Sequence, residues 1–377
     1  MYENTFMTSH DHATSIDLRN LALEEITPIF QELGEPSYRV RQLFQALHRD
    51  GASSFEEIST LKKSIRDTLA KIHCLTPLTK ELVKISADGT RKYQFRTHDG
   101  HIIESVFIPH AAKDGRHSLC ISSQVGCAMG CTFCATASLK LVRSLSASEI
   151  VNQVYLVARD VMEHGDHEQL MLKDNERPIH NIVFMGMGEP LHNFDNLIRA
   201  LELLTHPLGM AFSPRRITVS TSGLVPKIRE LGEKTGVYLA ISLNATTNEV
   251  RNIIMPVNNK WRIEELLKAA REFPLKVRER ITFEYVLLKG INDTEEDAHR
   301  LVELLRGMAC KINLIPFNEH PLSPYKKPDN KVTLMFHKIL YSNNLSVFTR
   351  KTRGDDIDAA CGMLGAKKLE HARESHA

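Results

Sequence analysis

The sequence predicts an α/β protein, and three observations predict it. From about residue 118 onward β-rich runs alternate with helical patterns, the arrangement that builds a parallel sheet, either open or closed into a barrel. Ahead of that region lie a helical leader and β-rich runs joined by Asp-Gly pairs, which are strong hairpin signals. Motif-like stretches (MGMGEP, STSG, SLNA, PFN) follow the second, third, fourth and sixth strands, at the carboxyl edge where parallel sheets and barrels bind ligands. The pattern places a single site at one rim.

The leader runs from about Ile16 to Ile72. After Pro36-Ser37, residues Val40, Leu43, Phe44 and Leu47 recur at helical spacing, with Asp50-Gly51 as a stop. A further helix shows Leu61, Ile65, Leu69 and Ile72 on one face and Lys62, Lys63, Arg66 and Lys71 around the rest. Charge this modest reads first as a solvated face and second as an RNA contact. ELVKIS, RKYQFRT and HIIESVFI, separated by ADGT and HDG, form an antiparallel meander. Strands are then expected at Ser118 to Ser122, Asn181 to Met185, Ile217 to Thr221, Val237 to Leu243, Ile281 to Leu288, Lys311 to Ile315 and Leu345 to Arg350. Between them lie helices such as Ser146 to Arg159, opened by a Ser146/Glu149 capping box, Ile263 to Phe273 and Thr294 to Arg306. The polar stretch His164 to His180, the charged tail after Gly365 and the His10/His12 pair read as surface segments. The expected organisation is a helical domain at 1–78, a β extension at 79–116, the α/β core at 117–365 and a tail at 366–377.

Composition is that of a soluble globular protein, 42% hydrophobic and 25% charged over 377 residues, enough for one large core and a smaller module. No apolar run is long enough to span a bilayer and the start lacks the pattern of a signal peptide, so a cytoplasmic protein is expected. In that reducing compartment seven cysteines, an odd number, argue against a disulfide framework. A net charge of +2 and a pI near 8.1 leave nucleic acid open as a partner, through local patches.

Three of those cysteines, Cys127, Cys131 and Cys134, fall within GCAMGCTFCA. Three thiolates crowded on one loop must be cross-linked, metal-bound or reactive. The C-x3-C-x2-C spacing supplies three ligands to a four-iron cluster and leaves one iron open to chelate a small molecule. A zinc knot completed by Cys120 is the alternative, although structural zinc sites more often pair two C-x2-C or C-x2-H elements.

This spacing, with Phe133 just before the last cysteine, resembles the radical S-adenosylmethionine (SAM) superfamily. The longer text CISSQVGCAMGCTFCAT, FMGMGEPL, SPRRITVSTSG, AISLNA, CKINLIPFN and RKTRGDDIDAACG resembles the RlmN/Cfr family of RNA adenine methyltransferases, and its RlmN branch most closely, from about residue 20 to 365. The resemblance implies a partial (β/α)6 barrel with an N-terminal helical accessory domain and a short hairpin meander. It implies a 4Fe-4S cluster on Cys127, Cys131 and Cys134, with SAM on the free iron, two SAM being used per turnover. Gly188 and Glu189 would meet the SAM amino end, and Ser220, Ser242, Leu243, Asn244 and Asn318 match the remaining contacts. Relatives commonly carry His where this chain has Asn244, so a backbone contact is expected there.

Carbon 2 of adenine is electron-poor, so direct methyl transfer fails and a radical route is required. The resemblance implies that Cys361 takes a methyl from one SAM, that the resulting S-methyl carbon is activated by a second and adds to adenine, and that Cys120 resolves the protein–RNA adduct through a transient Cys120–Cys361 disulfide. Glu104 matches the family's proton acceptor; by itself it reads as a rim carboxylate. Cys361 alone could be a small buried residue, whereas Cys74 and Cys310 match nothing and read as core. The implied substrates are an adenosine in the peptidyl-transferase region of 23S rRNA and the adenosine 3′ of the anticodon in tRNA. An electron donor such as flavodoxin or ferredoxin and a monomeric state go with them. Arg215-Arg216, Arg350 to Arg353 and Arg91-Lys92 are candidate backbone contacts, each equally readable as solvated surface. The carbon-8 reaction of the Cfr resistance branch and a non-catalytic iron–sulfur or RNA-binding protein are the alternatives. The intact RKTRGDDIDAACG text and the long leader favour carbon 2.

Overall fold

Turn chemistry cuts the leader into three helices. In the computed structural model, which describes residues 15–76, 78–110, 115–166, 170 and 177–365, a short strand β1 (Ile16–Asp17) precedes α1 (Leu23–Glu32), α2 (Tyr38–His48) and α3 (Lys63–Ile72). Val40, Leu43, Phe44 and Leu47 are buried on α2, as are Ile65 and Leu69 on α3. Ile72, expected on the same apolar face, is 49% exposed, because the helix ends there. The chain passes into β2 (His73–Cys74), which pairs in parallel with β1 and closes the helical unit at its two ends. The expected surface segments at His10/His12, after Gly365 and through most of 164–180 lie outside the described residues.

The meander is β3 (Thr79–Ile85), β4 (Arg91–Arg96) and β5 (Ile102–Ile108), antiparallel throughout. The core follows: β6 (Ser118–Cys120), β7 (Gln124–Val125), α4 (Ala135–Ser138), β8 (Arg143–Ser144), α5 (Ala147–His164) with the Ser146/Glu149 capping box in place, β9 (Asn181–Phe184) and α6 (Phe194–Thr205). Then come β10 (Ile217–Thr221), α7 (Val225–Thr235), β11 (Tyr238–Ser242), α8 (Asn248–Ile254), α9 (Ile263–Glu272), β12 (Ile281–Leu287), α10 (Glu295–Leu305), β13 (Cys310–Pro316), α11 (Asn330–Ser342) and β14 (Ser346–Thr349).

One sheet holds ten strands in the order β14-β13-β12-β11-β10-β9-β6-β5-β4-β3. Its seven members from β6 to β14 run parallel, as the alternating pattern predicts, and β14 and β3 end the sheet without meeting, so the barrel is partial. One face of the parallel strands is apolar and buried (Ile182, Ile217, Val219, Leu239, Ile241, Phe283 and Ile312), as a face covered by helices requires, while the alternating positions Ser220, Ser242 and Glu284 face the cavity. The meander is not a separate appendage. Val106 to Ile108 pair with Ser118 to Cys120, so β5 continues the sheet from the edge at which the parallel part begins.

The helical unit packs against α5 and α6. Ser148 N–H donates to Asn20 Oδ1 at 2.7 Å, His48 Nδ1 lies 3.1 Å from Tyr155 Oη, and Arg199 pairs with Glu25 at 2.8 Å. Burial, with Arg19 and His206 nearby, pushes His48 down to about 3, so this fully buried ring is neutral. Among the described residues no helix is long and apolar enough to cross a membrane.

The meander is tied to α5 through the buried carboxylate of Asp160, which accepts from Tyr93 Oη at 2.9 Å and pairs with Lys80 and Arg91. Burial alone would raise the Asp160 pKa, but the hydrogen bonds from Lys80 and Tyr93 and the charges of Lys80 and Arg91 hold it below the usual carboxylate range. A carboxylate so depressed stabilises the fold above its unfolded pKa and stops doing so as the pH falls through its folded pKa. Asp160→Asn is therefore expected to lower stability by about 2 kcal/mol at pH 7. In denaturant melts between pH 7 and 3 the gap between parent and variant should narrow as the pH drops.

Candidate functional site

The cysteine loop leaves β7 through Gly126, at φ +77°, where a Cβ would sit 1.6 Å from the Lys140 carbonyl oxygen. Only glycine fits both demands. The loop is then pinned at three points: Cys134 N–H to the Cys131 carbonyl, Thr132 N–H to the Ile254 carbonyl at 3.0 Å and Ala135 N–H to the Gly362 carbonyl at 2.8 Å. Its cysteines face a cavity of about 920 Å³, counting its solvent-open mouth, which lies within the size range of small-molecule sites.

The walls of that cavity gather what the sequence scatters. Cys127, Cys131, Cys134, Gly188, Glu189, Ser220, Ser242, Asn244, Asn318 and Cys361 all line it, from six different loops and strand ends. Leu243 does not, being buried with its N–H on the Glu284 carbonyl at 3.0 Å. Gly188 has φ +98°, and a Cβ there would come 2.5 Å from Gln124 Cβ, so the MGMGEP turn can approach the wall only as glycine. Glu189, 3% exposed, accepts from the N–H groups of Leu191 and Ser222 and from Ser222 Oγ; burial raises its pKa while the Ser222 bonds oppose the rise. Asn244 has φ +57°, which Asn tolerates, and its side chain is consumed: Oδ1 accepts from Val286 N–H at 2.8 Å and Nδ2 reaches Met255 Sδ. Its carbonyl accepts from Asn292 Nδ2 at 2.7 Å, so what it can offer a ligand is its backbone N–H.

The donor set fits an iron–sulfur cluster. Burial pushes the Cys127 thiol up to about 12 and Cys131 well above its ordinary value, with the neighbouring cysteines adding to both. No lysine or arginine lines the cavity, so three thiolates there need a metal cation to hold them. Among the described residues the three sulfurs do not all come within 4.8 Å of one another. Tetrahedral zinc, with Zn–S bonds of about 2.3 Å, would draw them to roughly 3.8 Å. Cys120, the fourth ligand of a zinc knot, is not on this wall.

The rim is braced by a residue that sequence reasoning missed. Arg251, on α8 and wholly buried, donates from Nε to the Leu243 carbonyl at 2.9 Å, from Nη2 to the carbonyls of Ser222 at 2.7 Å and Ser242 at 3.0 Å, and from Nη1 to Asn258 Oδ1 at 3.1 Å. Burial lowers its pKa to about 10, with Cys131 pulling the other way. One guanidinium thus fixes the carboxyl ends of β10 and β11 relative to each other. In the sequence it is one arginine among many, on a short helix with no motif around it.

Cys361 stands where the main cavity meets a second one, and is accessible there. The loop that carries it is stapled down along its length. Asp356 accepts from Ser86 Oγ and Ala87 N–H, Asp88 accepts from Gly354 N–H at 3.2 Å, Lys92 Nζ donates to the Asp358 carbonyl at 2.9 Å, and Asn318 Nδ2 donates to the Cys361 carbonyl at 3.2 Å. Crowding by protein pushes the Cys361 thiol up, while Arg350 opposes that shift. Cys120, at the end of β6, is 8% exposed; burial raises its thiol well above the ordinary value, and Cys361 is close enough to add to the effect. Both are free thiols in this structure. Glu104 lies off the cavity wall, beneath the same loop, paired with Lys92 at 3.1 Å and accepting from Gln94 Nε2 and Gly365 N–H. Cys310 is buried at the start of β13, and Cys74 sits half-buried on β2, its thiol 3.7 Å from the Ser15 carbonyl.

Comparison with known proteins gives matches over almost the whole chain. Residues 121–302 match the model of the radical SAM superfamily, and residues 16–75 that of the ribosomal RNA large subunit methyltransferase N-terminal domain. A dual-specificity RNA methyltransferase RlmN of Geobacter sulfurreducens is 49% identical over 354 residues, 94% of this chain and 93% of its own. The protein described as dual-specificity RNA methyltransferase RlmN 2 in Myxococcus xanthus is 48% identical over 93% of this chain and 91% of its own. The crystal structure of a radical SAM methyltransferase from Sphaerobacter thermophilus superposes with a TM-score of 0.86 at 41% identity, covering 93% of this chain and 99% of that one.

If Arg251 is the brace, its loss orphans three buried carbonyls and should be felt by the whole rim. Arg251→Met is expected to cost about 3–5 kcal/mol in denaturant unfolding. Arg251→Lys, which keeps the charge but cannot reach all four acceptors, should recover only part.

Proposed function

Because this chain belongs to the RlmN family of radical SAM RNA methyltransferases, we propose that it methylates carbon 2 of adenosine in the peptidyl-transferase region of 23S rRNA and in tRNA 3′ of the anticodon. The observation that carries this reading is the shared wall: Cys361 lines the same cavity as Cys127, Cys131, Cys134 and the strand-end motifs. In an enzyme that used its cysteines only to hold a cluster, that cysteine would have no reason to be there.

Cys127, Cys131 and Cys134 hold the 4Fe-4S cluster, and Gly188, Glu189, Ser220, Ser242, the backbone of Leu243 and Asn244, and Asn318 hold SAM. When bound, the two supply one-electron chemistry able to break an unactivated C–H bond. Cys361 supplies what that chemistry acts on. Its sulfur accepts a methyl group from SAM: the sulfonium–methyl bond breaks, the Cys361 Sγ–methyl bond forms, and the thiol proton leaves to solvent. A second SAM serves the activation, so two are used per turnover. That one-electron chemistry would remove a hydrogen atom from the S-methyl group, the resulting carbon would bond to carbon 2 of adenine, and the adduct would give its unpaired electron back to the same chemistry as Glu104 takes the carbon-2 proton; since Glu104 lies under the 354–365 loop, that loop must open for it to act. Cys120 then attacks Cys361 Sγ. An S–S bond forms, the bond from that sulfur to the bridging carbon breaks, and its electron pair, with a proton, completes the new methyl group. An external reductant such as flavodoxin or ferredoxin supplies electrons, and the enzyme acts as a monomer in the cytoplasm, where its RNAs are.

Nucleoside mass spectrometry of a 23S rRNA fragment and tRNA, incubated anaerobically with reconstituted protein, SAM and reductant, tests this. The expected product is 2-methyladenosine; 8-methyladenosine would move the chain to the resistance branch, and neither, with SAM cleavage confirmed, would overturn the substrate. Cys361→Ala is expected to bind and cleave SAM while its methylated product falls below detection. Retained methylation would sink the mechanism.

A further inference from the structure

The cavity of the clustered cysteines is one of three that run together. A second, of about 420 Å³, meets it at Ile315, Asn318 and Cys361 and carries Arg350, Lys351 and Arg353 on its wall. A third depression shares Pro316, Arg350, Lys351 and Thr352 with the second and extends past Thr349 to Lys327 and Leu334. The first has no lysine or arginine on its wall, while the other two are basic. Leu334 is also the start of something longer. On α11, Lys331, Leu334, Lys338 and Tyr341 are spaced three, four and three residues apart, which puts them on one stripe, and all four are exposed, Leu334 by 68% and Tyr341 by 69%.

Among the described residues Lys331, Lys338 and Lys351 have no carboxylate within ion-pair distance, as is true of several other surface lysines; on α11 they alternate with the exposed Leu334 and Tyr341. Unneutralised lysines alternating with a leucine and a tyrosine, along a helix about 20 Å long, make a poor solvated face. They match a single nucleic-acid strand, whose phosphates take the cations and whose bases take the apolar faces.

We propose that the RNA strand next to the target adenosine lies along the α11 stripe and that the base reaches Cys361 through the second, basic cavity. The inference rests on the RNA methyltransferase reading above and adds to it a route: SAM and base approach Cys361 from two different cavities. Ile315, Asn318 and Cys361, which line both, form the shared wall. The methyl group then needs to travel no further than the side chain that carries it.

The test is binding of a fluorescein-labelled 23S rRNA fragment by anisotropy between 50 and 300 mM KCl, using the full-length protein. Lys331→Ala/Lys338→Ala should bind roughly tenfold more weakly at about 150 mM salt, and the slope of log affinity against log salt should fall by about 1.4, or about 0.7 for each phosphate that no longer meets a lysine. Tyr341→Ala should weaken binding by about tenfold with the slope unchanged, as removal of a stacking platform does. Lys268→Ala, on the exposed side of α9, is the charge control and should behave as the parent. Since all these side chains are on the surface, melting temperatures report whether each variant is folded. If the parent binds and the double variant binds with the same affinity and slope, the route is wrong and the enzyme reading stands. If the parent itself binds neither the fragment nor tRNA, the reading fails and the route with it.

Discussion

A buried guanidinium sets the geometry on which the rest of this site depends. Parallel strands end in loops, and loops that leave a sheet separately have no reason to keep their distance from one another. Arg251 removes that freedom by bonding to the carbonyls of Ser222, Ser242 and Leu243 at once. The chain bears the desolvation of a charge to do so, and that cost is met only because all the donors named find acceptors. With these strand ends fixed, Ser220, Ser242 and Asn244 can stand on one wall with the cysteine loop, whose Thr132 N–H is itself bonded to the Ile254 carbonyl at the end of the same helix. One short helix thus ties the cysteine loop to the strand ends that share its cavity.

The meander performs the corresponding task for Cys361. The ADGT turn between β3 and β4 grips the 354–358 segment through Ser86, Ala87 and Asp88, and Lys92 on β4 holds the Asp358 carbonyl and the Glu104 carboxylate together. The bonds to the loop are polar and at most partly buried, and therefore individually modest. A loop held by several such bonds has a defined resting place and can still be lifted, which a covalent or deeply packed attachment would forbid. That suits the role proposed for Cys361, which would meet SAM, an RNA base and Cys120 in succession.

How much of this could be read from residues alone varies with the kind of signal. The strand from Ile217 to Thr221 has the same bounds in sequence and structure, because a β-branched run bounded by Arg216 and Ser222-Gly223 leaves little choice. The cap at Ser146 was legible for the same local reason. Ile72 was not, since helical spacing says which face a residue is on and nothing about where neighbours stop covering it. Asn244 illustrates an intermediate case: its departure from the family's usual residue pointed to a backbone contact, and the structure supplies the cause, a left-handed φ and a side chain already engaged with Val286 and Met255. Glu104 was picked by its position in a family motif, whereas the bond it accepts from Gly365 N–H comes from a loop 261 residues away.

By itself the sequence determined the α/β class, the parallel order of the strands, the three-cysteine loop and the placing of MGMGEP, STSG, SLNA and PFN at one rim, because each rests on composition, period or spacing within a few residues; the individual residues at that rim came from the family resemblance. Only the tertiary structure decided that β5 extends the parallel sheet, that Arg251 braces the rim, that Cys120 stands off the wall that holds the three clustered cysteines, and that Cys361 stands between a cavity without lysine or arginine and a basic one. All four are relations between residues far apart in the chain. Hydrogen-bond partners and cavity walls belong to pairs of segments, and a period read along one segment carries no information about the other.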